Sequence, residues 1–218
     1  MKLLLLRHAQ SQGNDAQRMQ GQGEYPLSAT GWQQVESLAE YLNTESWQPS
    51  HVYSSPLQRA METGRGLLAA FPDISLEIRS CSALKEIDNG ILQGLTWSEA
   101  CQQFPELCQQ LQSSLDWLPI PEAESLVAIR NRASQFIQQL LQQHQNCDRI
   151  WIISHGGLLP HLISALLGCD RVWGIPIPPT ALFEFWLDRD RWDGNRCFAN
   201  LNSSLWQIHR FNDCPHLV

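Results

Sequence analysis

The chain predicts an α/β fold: a three-layer α/β/α arrangement around a mostly parallel central sheet. Three observations carry this. Leu3–Leu6 and Ile150–Ile153 are short, continuously apolar runs, the pattern of strands buried on both faces. Between them lie amphipathic stretches of helical period, Trp32-Val35-Leu38-Ala39-Leu42 and Leu126-Ile129-Ala133-Phe136-Ile137-Leu140-Leu141. Both apolar runs stop at polar groups, Arg7-His8 and Ser154-His155, where open α/β sheets hold ligands beyond the strands' carboxyl ends.

The 218 residues are enough for one large core, so a single domain over 1–218 is expected. A net charge of -7 argues against nucleic acid as a partner, which would need a basic face. It leaves room for a small anion in a locally positive pocket. Seven cysteines, an odd number with no C-x-x-C, favour a reducing cytoplasm over a disulfide framework or zinc site. The leucine run is too short for a signal peptide, and no stretch reaches the length of a membrane span. The oligomeric state is not legible.

In order, Leu3–Leu6 is followed by a polar loop, Gln10 to Tyr25, whose Asn14, Arg18 and Gln20 are candidate ligand-facing groups, with Gln20 and Gly21 expected at the substrate. Ser28 caps a helix that ends near Asn43. His51–Ser54 is a short strand, and Ser55-Pro56 reads as the cap and first residue of the next helix. That helix carries Leu57, Ala60, Leu67 and Leu68 toward the core. Arg59 in its first turn opposes the helix dipole, a local conflict of the kind that marks a site. Leu76–Arg79 reads as a strand. Ser82 to Pro121 reads as an inserted cap over about 82–121, with helices over Thr96–Phe104 and Glu106–Leu118 and with Trp97, Phe104 and Trp117 packing it onto the body. A helix over Glu122–Gln145 precedes Ile150–Ile153. Ser154-His155-Gly156-Gly157 leads into a helix over Leu158–Leu167 closed by Gly168. Ile175–Pro179 is a connector, and Leu182–Leu187 and Ser203–His209 read as strands joined through a turn at Asp188–Asn195 with Asp193-Gly194. Phe211–Val218 reads as a mobile tail.

In a parallel sheet these strand ends share one edge. Arg7, His8, Arg59 and His155 then meet two helix N-termini, with Glu86 contributed by the insertion. Guanidinium forks match a phosphoryl group's oxygens with paired hydrogen bonds. Burying so many cations without an anion would be strongly unfavourable. The reading from residues is therefore a phosphoryl site, with the attacking histidine unassigned.

Here the chain resembles the histidine phosphatase superfamily, the phosphoglycerate mutase-like proteins of branch 1. The resemblance rests on Arg7-His8-Ala9-x-Ser11-x-x-Asn14 and Pro26-Leu27-Ser28-x-x-Gly31, then on Ser54-Ser55-Pro56-Leu57-x-Arg59-Ala60-x-Glu62-Thr63. It continues through Leu84-x-Glu86-x-Asp88-x-Gly90 with Gly94, Glu124-Ser125 and Ser154-His155-Gly156-Gly157. It implies a phosphoglycerate mutase-like fold and a phosphomonoesterase working through a phosphohistidine on a small phosphorylated metabolite. His8 would be the nucleophile. Arg7, Asn14, Arg59, His155 and the Gly156 amide would bind the phosphoryl group. Glu86 would protonate the leaving alkoxide and then activate water. The resemblance implies no cofactor and no metal.

Ala9, Ala123 and Thr180 depart from the family pattern, which bears on the substrate side of the pocket. A cofactor-dependent phosphoglycerate mutase is the alternative. Mutases tend to carry Arg-x-Tyr after the acidic residue, where this chain has Ile87-Asp88-Asn89-Gly90, and Asp88 is expected to repel a second anion. A non-catalytic phospholigand binder of the same fold is a further alternative, disfavoured by the presence of all five reactive residues.

Overall fold

A computed structural model describes residues 1–73, 75–172, 174–191 and 206–217. Its centre is a six-stranded sheet ordered β3-β2-β4-β1-β5-β6. The strands are β1 (Lys2–Arg7), β2 (His51–Ser54), β3 (Ile78–Ser80), β4 (Arg149–Ser154), β5 (Leu182–Leu187) and β6 (Trp206–Asp213). The first four are mutually parallel, and β5 and β6 add an antiparallel edge.

The leucine run shows why the sheet is central. Leu3 and Leu5 join a core beneath α6 (Leu126–Gln143) and α7 (Leu159–Leu167). Leu4 and Leu6 join a second core beneath α2 (Ala29–Asn43) and α3 (Gln58–Ala69). Alternate side chains of a strand face opposite ways, so four consecutive leucines serve both layers. Each contributes about 1.5–3 kcal/mol on burial.

The helices follow the sequence pattern with specific exceptions. Ser28 caps α2, its hydroxyl accepting from Gly31 N at 3.0 Å. Trp32, read as core, is exposed and lies over Gly66 of α3. Ser55 and Pro56 do not start α3; Leu57 is its N-cap, and Ser55 Oγ accepts from Leu57 N at 3.3 Å, holding a turn just before the helix. The loop after β1 contains a short helix, α1 (Gln12–Asp15), closed by a reciprocal Ser11–Asn14 cap that neighbouring polar residues conceal in the sequence. β3 covers Ile78–Ser80 rather than Leu76–Arg79. α6 begins after its cap Ser125, because Glu122 holds a φ of 63° that no helix tolerates.

The segment over 82–121 holds α4 (Trp97–Gln103) and α5 (Pro105–Ser113). Its own small core joins Leu92, Ala100 and Cys108 to Met19, Ile91 and Phe104 among others. α5 stops five residues short of Leu118, where Ser114 turns back to accept from Asp116 N.

β6 runs on to Asp213, so the C-terminal stretch is strand followed by a 3-10 turn, Pro215–Leu217, and not a mobile tail. His216 Nε2 lies 2.8 Å from Thr180 Oγ1. Thr180, buried with a φ of 63°, donates its N–H to the Arg7 carbonyl at 3.2 Å. Residues 192–205, which include the Asp193-Gly194 turn and the start of the expected Ser203–His209 strand, lie outside the described residues.

Two glycines with positive φ separate backbone strain from crowding. Gly168, closing α7 at φ 63°, has nothing within 4 Å of an added Cβ. Gly90, at φ 53°, would place that Cβ 2.1 Å from Pro121 O and 2.4 Å from Ala123 N. Gly168→Ala is expected to lose about 1 kcal/mol in urea unfolding, the left-handed strain alone. Gly90→Ala is expected to lose clearly more, because backbone must move as well.

Candidate active site

β1, β2 and β4 lie side by side and parallel, so Arg7-His8, Ser54-Ser55 and Ser154-His155 leave the sheet together. The His8 and His155 rings sit 5.0 Å apart between centroids, near enough for one phosphoryl group to meet both. A cavity of about 250 Å³ opens above them. Its walls include Arg7, His8, Asn14, Gln20, Gly21, Arg59 and Glu86, all of them sequence candidates.

His8 is fully assigned by its neighbours. Nδ1 lies 2.7 Å from the Ala9 carbonyl, which can only accept, so Nδ1 carries the proton and Nε2 presents its lone pair. Arg59 Nε donates to that nitrogen at 3.2 Å. Burial, then the Arg59 and Arg7 charges, hold the His8 pKa well below its ordinary value. Burial, His8 and the same two arginines do likewise for His155. Both rings are therefore neutral at pH 7. The turn after His8 is tied to α3 by Thr63, whose Oγ1 accepts from Ala9 N at 3.0 Å and donates to Arg59 O at 2.7 Å.

Arg59 is 1% exposed, in the first turn of a helix with no acidic residue there and no side-chain cap. Its guanidinium donates to Gly21 O and Gly23 O, both at 2.8 Å. Burial pushes its pKa down to about 10, leaving it charged at neutral pH. Among the described residues no carboxylate bonds it. Gly21 thus enters the site as a carbonyl that aims Arg59. Arg7 donates through Nη1 to the Ile177 carbonyl, and burial lowers its pKa while Glu86 opposes that. Arg7 Nε and both His155 nitrogens are buried with no hydrogen-bond partner among the described residues. Such groups are rare unless an anion or acceptor completes them.

Asn14 and Gln20 spend their oxygens on Ser11, Asn14 Oδ1 accepting from Ser11 N at 3.1 Å and Gln20 Oε1 from Ser11 Oγ at 2.7 Å. Their amide nitrogens remain as donors on the cavity wall. Gly156 lies against the Arg7 guanidinium, an added Cβ falling 3.3 Å from Nε. Neither Gly156 nor the His155 ring, which lies deeper, forms the cavity wall.

Glu86 arrives from the 82–121 segment, just after the 3-10 turn Ser82–Leu84. Its Oε2 accepts from Gly157 N at 3.0 Å and its Oε1 from Ile87 N at 2.9 Å. Arg132 of α6 secures that loop, donating to Ala83 O at 2.9 Å and Lys85 O at 2.7 Å while pairing twice with Glu124. Sequence reasoning did not single out Arg132, and it read Gly157 as part of the Ser154–Gly157 turn without the bond from its amide to Glu86. It also read Trp117 as packing, whereas Trp117 is 45% exposed and forms the outer wall with Met19, Ile87 and Asn89. Its signal was an aromatic in the non-helical stretch before Pro119. Arg18 is on the wall too, with Nη1 engaged by Gly94 O at 2.7 Å and Glu99 at 3.0 Å. Asp88 does not face the cavity; its Oδ1 accepts from Gly90 N at 2.9 Å and shapes the loop.

Comparison with known proteins extends this geometry. The family model of the histidine phosphatase superfamily (branch 1) matches residues 3–199. The chain is 35% identical over 159 residues to a metal-independent phosphoserine phosphatase of Arabidopsis thaliana, covering 72% of this chain and 65% of that one, a little under two thirds of its length. It is 31% identical to phosphoserine phosphatase 1 of Hydrogenobacter thermophilus, covering 78% of each. Among solved structures, the alpha-ribazole phosphatase from Shigella flexneri aligns with a TM-score of 0.74 at 25% identity, over 98% of this chain and 96% of that one. Bacillus stearothermophilus YhfR shares the fold, with a TM-score of 0.81 at 23% identity over 100% of this chain and 99% of that one.

The pKa shifts set a pH dependence of stability. Of seven histidines, His8, His51, His155 and His216 have lowered values and His161 falls to about 4. Below about pH 6.5 the unfolded chain takes up protons that the folded chain refuses, so stability is lost as pH falls. The urea midpoint is expected to drop between about pH 7 and pH 5. The His8 and His155 ring resonances should titrate at lower pH than a free histidine's.

Proposed function

The chain belongs to the histidine phosphatase superfamily, and from that premise we propose that it hydrolyses small phosphoric monoesters through a phosphohistidine formed on His8. The observation that carries this is the neutral His8 ring on the cavity wall, its unprotonated Nε2 accepting from Arg59 Nε at 3.2 Å and its centroid 5.0 Å from that of His155.

The chemistry follows from the residues. His8 Nε2 attacks phosphorus, forming a P–N bond as the P–O bond to the leaving alkoxide breaks. Arg7, Arg59, His155, Asn14 and the Gly156 amide take the charge on the three remaining oxygens. Glu86 gives its proton to the alkoxide. As a carboxylate it then takes a proton from the water that attacks phosphorus and releases His8. Gly157 N–H and Ile87 N–H hold its oxygens in position for both steps. Arginines supply the positive charge. Among the described residues Glu86 is the one carboxylate on the wall, a poor donor set for a magnesium ion, which seeks several oxygens.

Hydrolysis is favoured over mutase action by the outer wall. Trp117, Met19, Ile87 and Asn89 are uncharged, and the Arg18 charge is already met by Glu99. A wall of this kind has little to hold a second anionic group and return a phosphoryl group to it. The relatives' names supply assay substrates: phosphoserine, glucosyl-3-phosphoglycerate and alpha-ribazole 5′-phosphate. Free thiols at Cys81, Cys101, Cys108, Cys147, Cys169 and Cys214 support a reducing compartment such as the cytoplasm. Among the described residues no helix is long and apolar enough to cross a membrane.

Rapid quenching with a phosphate ester is expected to trap an acid-labile, base-stable phosphoenzyme that His8→Ala lacks. Arg59→Ala should lower turnover about 10²–10³-fold, and turnover should survive EDTA. Rapid interconversion of 3- and 2-phosphoglycerate would favour the mutase reading instead. Glu86→Gln should slow alkyl phosphates far more than nitrophenyl phosphate, whose leaving group needs no proton; equal slowing would remove Glu86 as the acid.

A further inference from the structure

We propose that His51, His144 and Asp148 form a second ligand site, for a transition-metal dication of the zinc class, at the sheet edge opposite the phosphoryl pocket. His51 opens β2, whose last residue Ser54 reaches the catalytic edge, and Asp148 immediately precedes β4. His144 is the C-cap of α6. The site thus ties three elements at their far ends.

Each of the three residues offers one ligand atom, and all of these atoms lie within 4.8 Å of one another. Tetrahedral zinc with bonds of about 2.0–2.2 Å sets its ligand atoms roughly 3.3 Å apart. His144 Nδ1 and Asp148 Oδ2, now 2.8 Å apart, would open by roughly half an ångström. Two imidazoles and one carboxylate suit zinc, cobalt or nickel and not calcium or magnesium. A fourth position remains for water.

The surroundings hold the rings as metal-binding histidines are held. His144 Nε2 is 2.8 Å from the Tyr53 hydroxyl, which accepts from Arg79 at 3.0 Å. With Nδ1 on a metal, Nε2 keeps its proton for Tyr53. His51 Nδ1 is 2.9 Å from Ser50 Oγ, whose own proton goes to Arg149 O at 3.0 Å. His51 Nδ1 is therefore the donor, and Nε2 is a bare lone pair. No hydrogen-bond partner for that lone pair exists among the described residues. The two rings meet edge to face, 4.4 Å between centroids.

The test is titration of the metal-stripped, full-length protein with Co²⁺ and Zn²⁺ under reducing conditions. One equivalent of Co²⁺ is expected to give a tetrahedral d–d spectrum without a thiolate charge-transfer band, displaced by Zn²⁺. His51→Gln and Asp148→Asn should each abolish it, and Tyr53→Phe should weaken binding about 10–100-fold. Zn²⁺ should raise the unfolding midpoint of the unaltered protein but not of His51→Gln, whose phosphatase turnover stays unchanged. Absence of stoichiometric binding, binding undiminished in both ligand variants, or a thiolate band would each overturn the proposal. Asp148→Asn keeps the side-chain shape and gives the same reading should His51→Gln fail to fold.

Discussion

One contact sets the terms for the rest: a buried guanidinium donating to an uncharged imidazole, Arg59 Nε to His8 Nε2 at 3.2 Å. A proton on that nitrogen would bring two like charges to hydrogen-bond distance. At an effective dielectric of about 20 that repulsion is on the order of 5 kcal/mol. The surroundings maintain the contact from both sides. The Ala9 carbonyl keeps the His8 proton on Nδ1, and the Gly21 and Gly23 carbonyls hold the far end of Arg59. The loop between β1 and α2 is long because it must supply those carbonyls and the Ser11–Asn14–Gln20 cluster as well.

How much of this could be read from residues alone divides along physical lines. Continuous apolar runs and helical periods reflect burial in two deep cores, so β1, β4, α2, α6 and α7 were legible. So was the meeting of Arg7, His8, Arg59 and His155, because parallel strands must end together. Glu86 was legible through the family resemblance; nothing in its local pattern says that an inserted segment would carry it to Gly157. Boundaries failed where short polar contacts decide them: the Ser11–Asn14 cap, the turn held by Ser55, and the positive φ of Glu122. Trp117 and Trp32 were misread for a single reason. An aromatic side chain advertises burial, and a pocket wall or a groove between helices satisfies it only in part. Arg132 works through backbone carbonyls that no residue pattern displays, and Gly157 and Thr63 stand in the quoted motifs without the motifs stating their bonds to Glu86, Ala9 and Arg59.

The 82–121 segment and the rest of the fold are joined at the site by specific hydrogen bonds. Glu86 accepts from Gly157 of the turn before α7, Ser154 Oγ donates to Leu84 O, and Arg132 of α6 holds Ala83 and Lys85. Glu86 therefore belongs to one segment but has one of its oxygens held by the other. This is how a carboxylate on an irregular loop reaches the precision of one mounted on a strand. Met19 on the cavity wall is tied to the same segment, donating to Leu95 O and accepting from Gly94 N, both at 2.8 Å.

The Thr180–His216 contact ties the C-terminal turn to the end of β1, where Arg7 leads into His8. The connector that receives its backbone, through Thr180 N–H to the Arg7 carbonyl, gains its own support from a side chain more than thirty residues further on. Opening of the Pro215–Leu217 turn therefore slackens the backbone beneath Arg7 and His8 without touching either side chain, so fraying at a distant strand end is felt as a looser edge of the cavity.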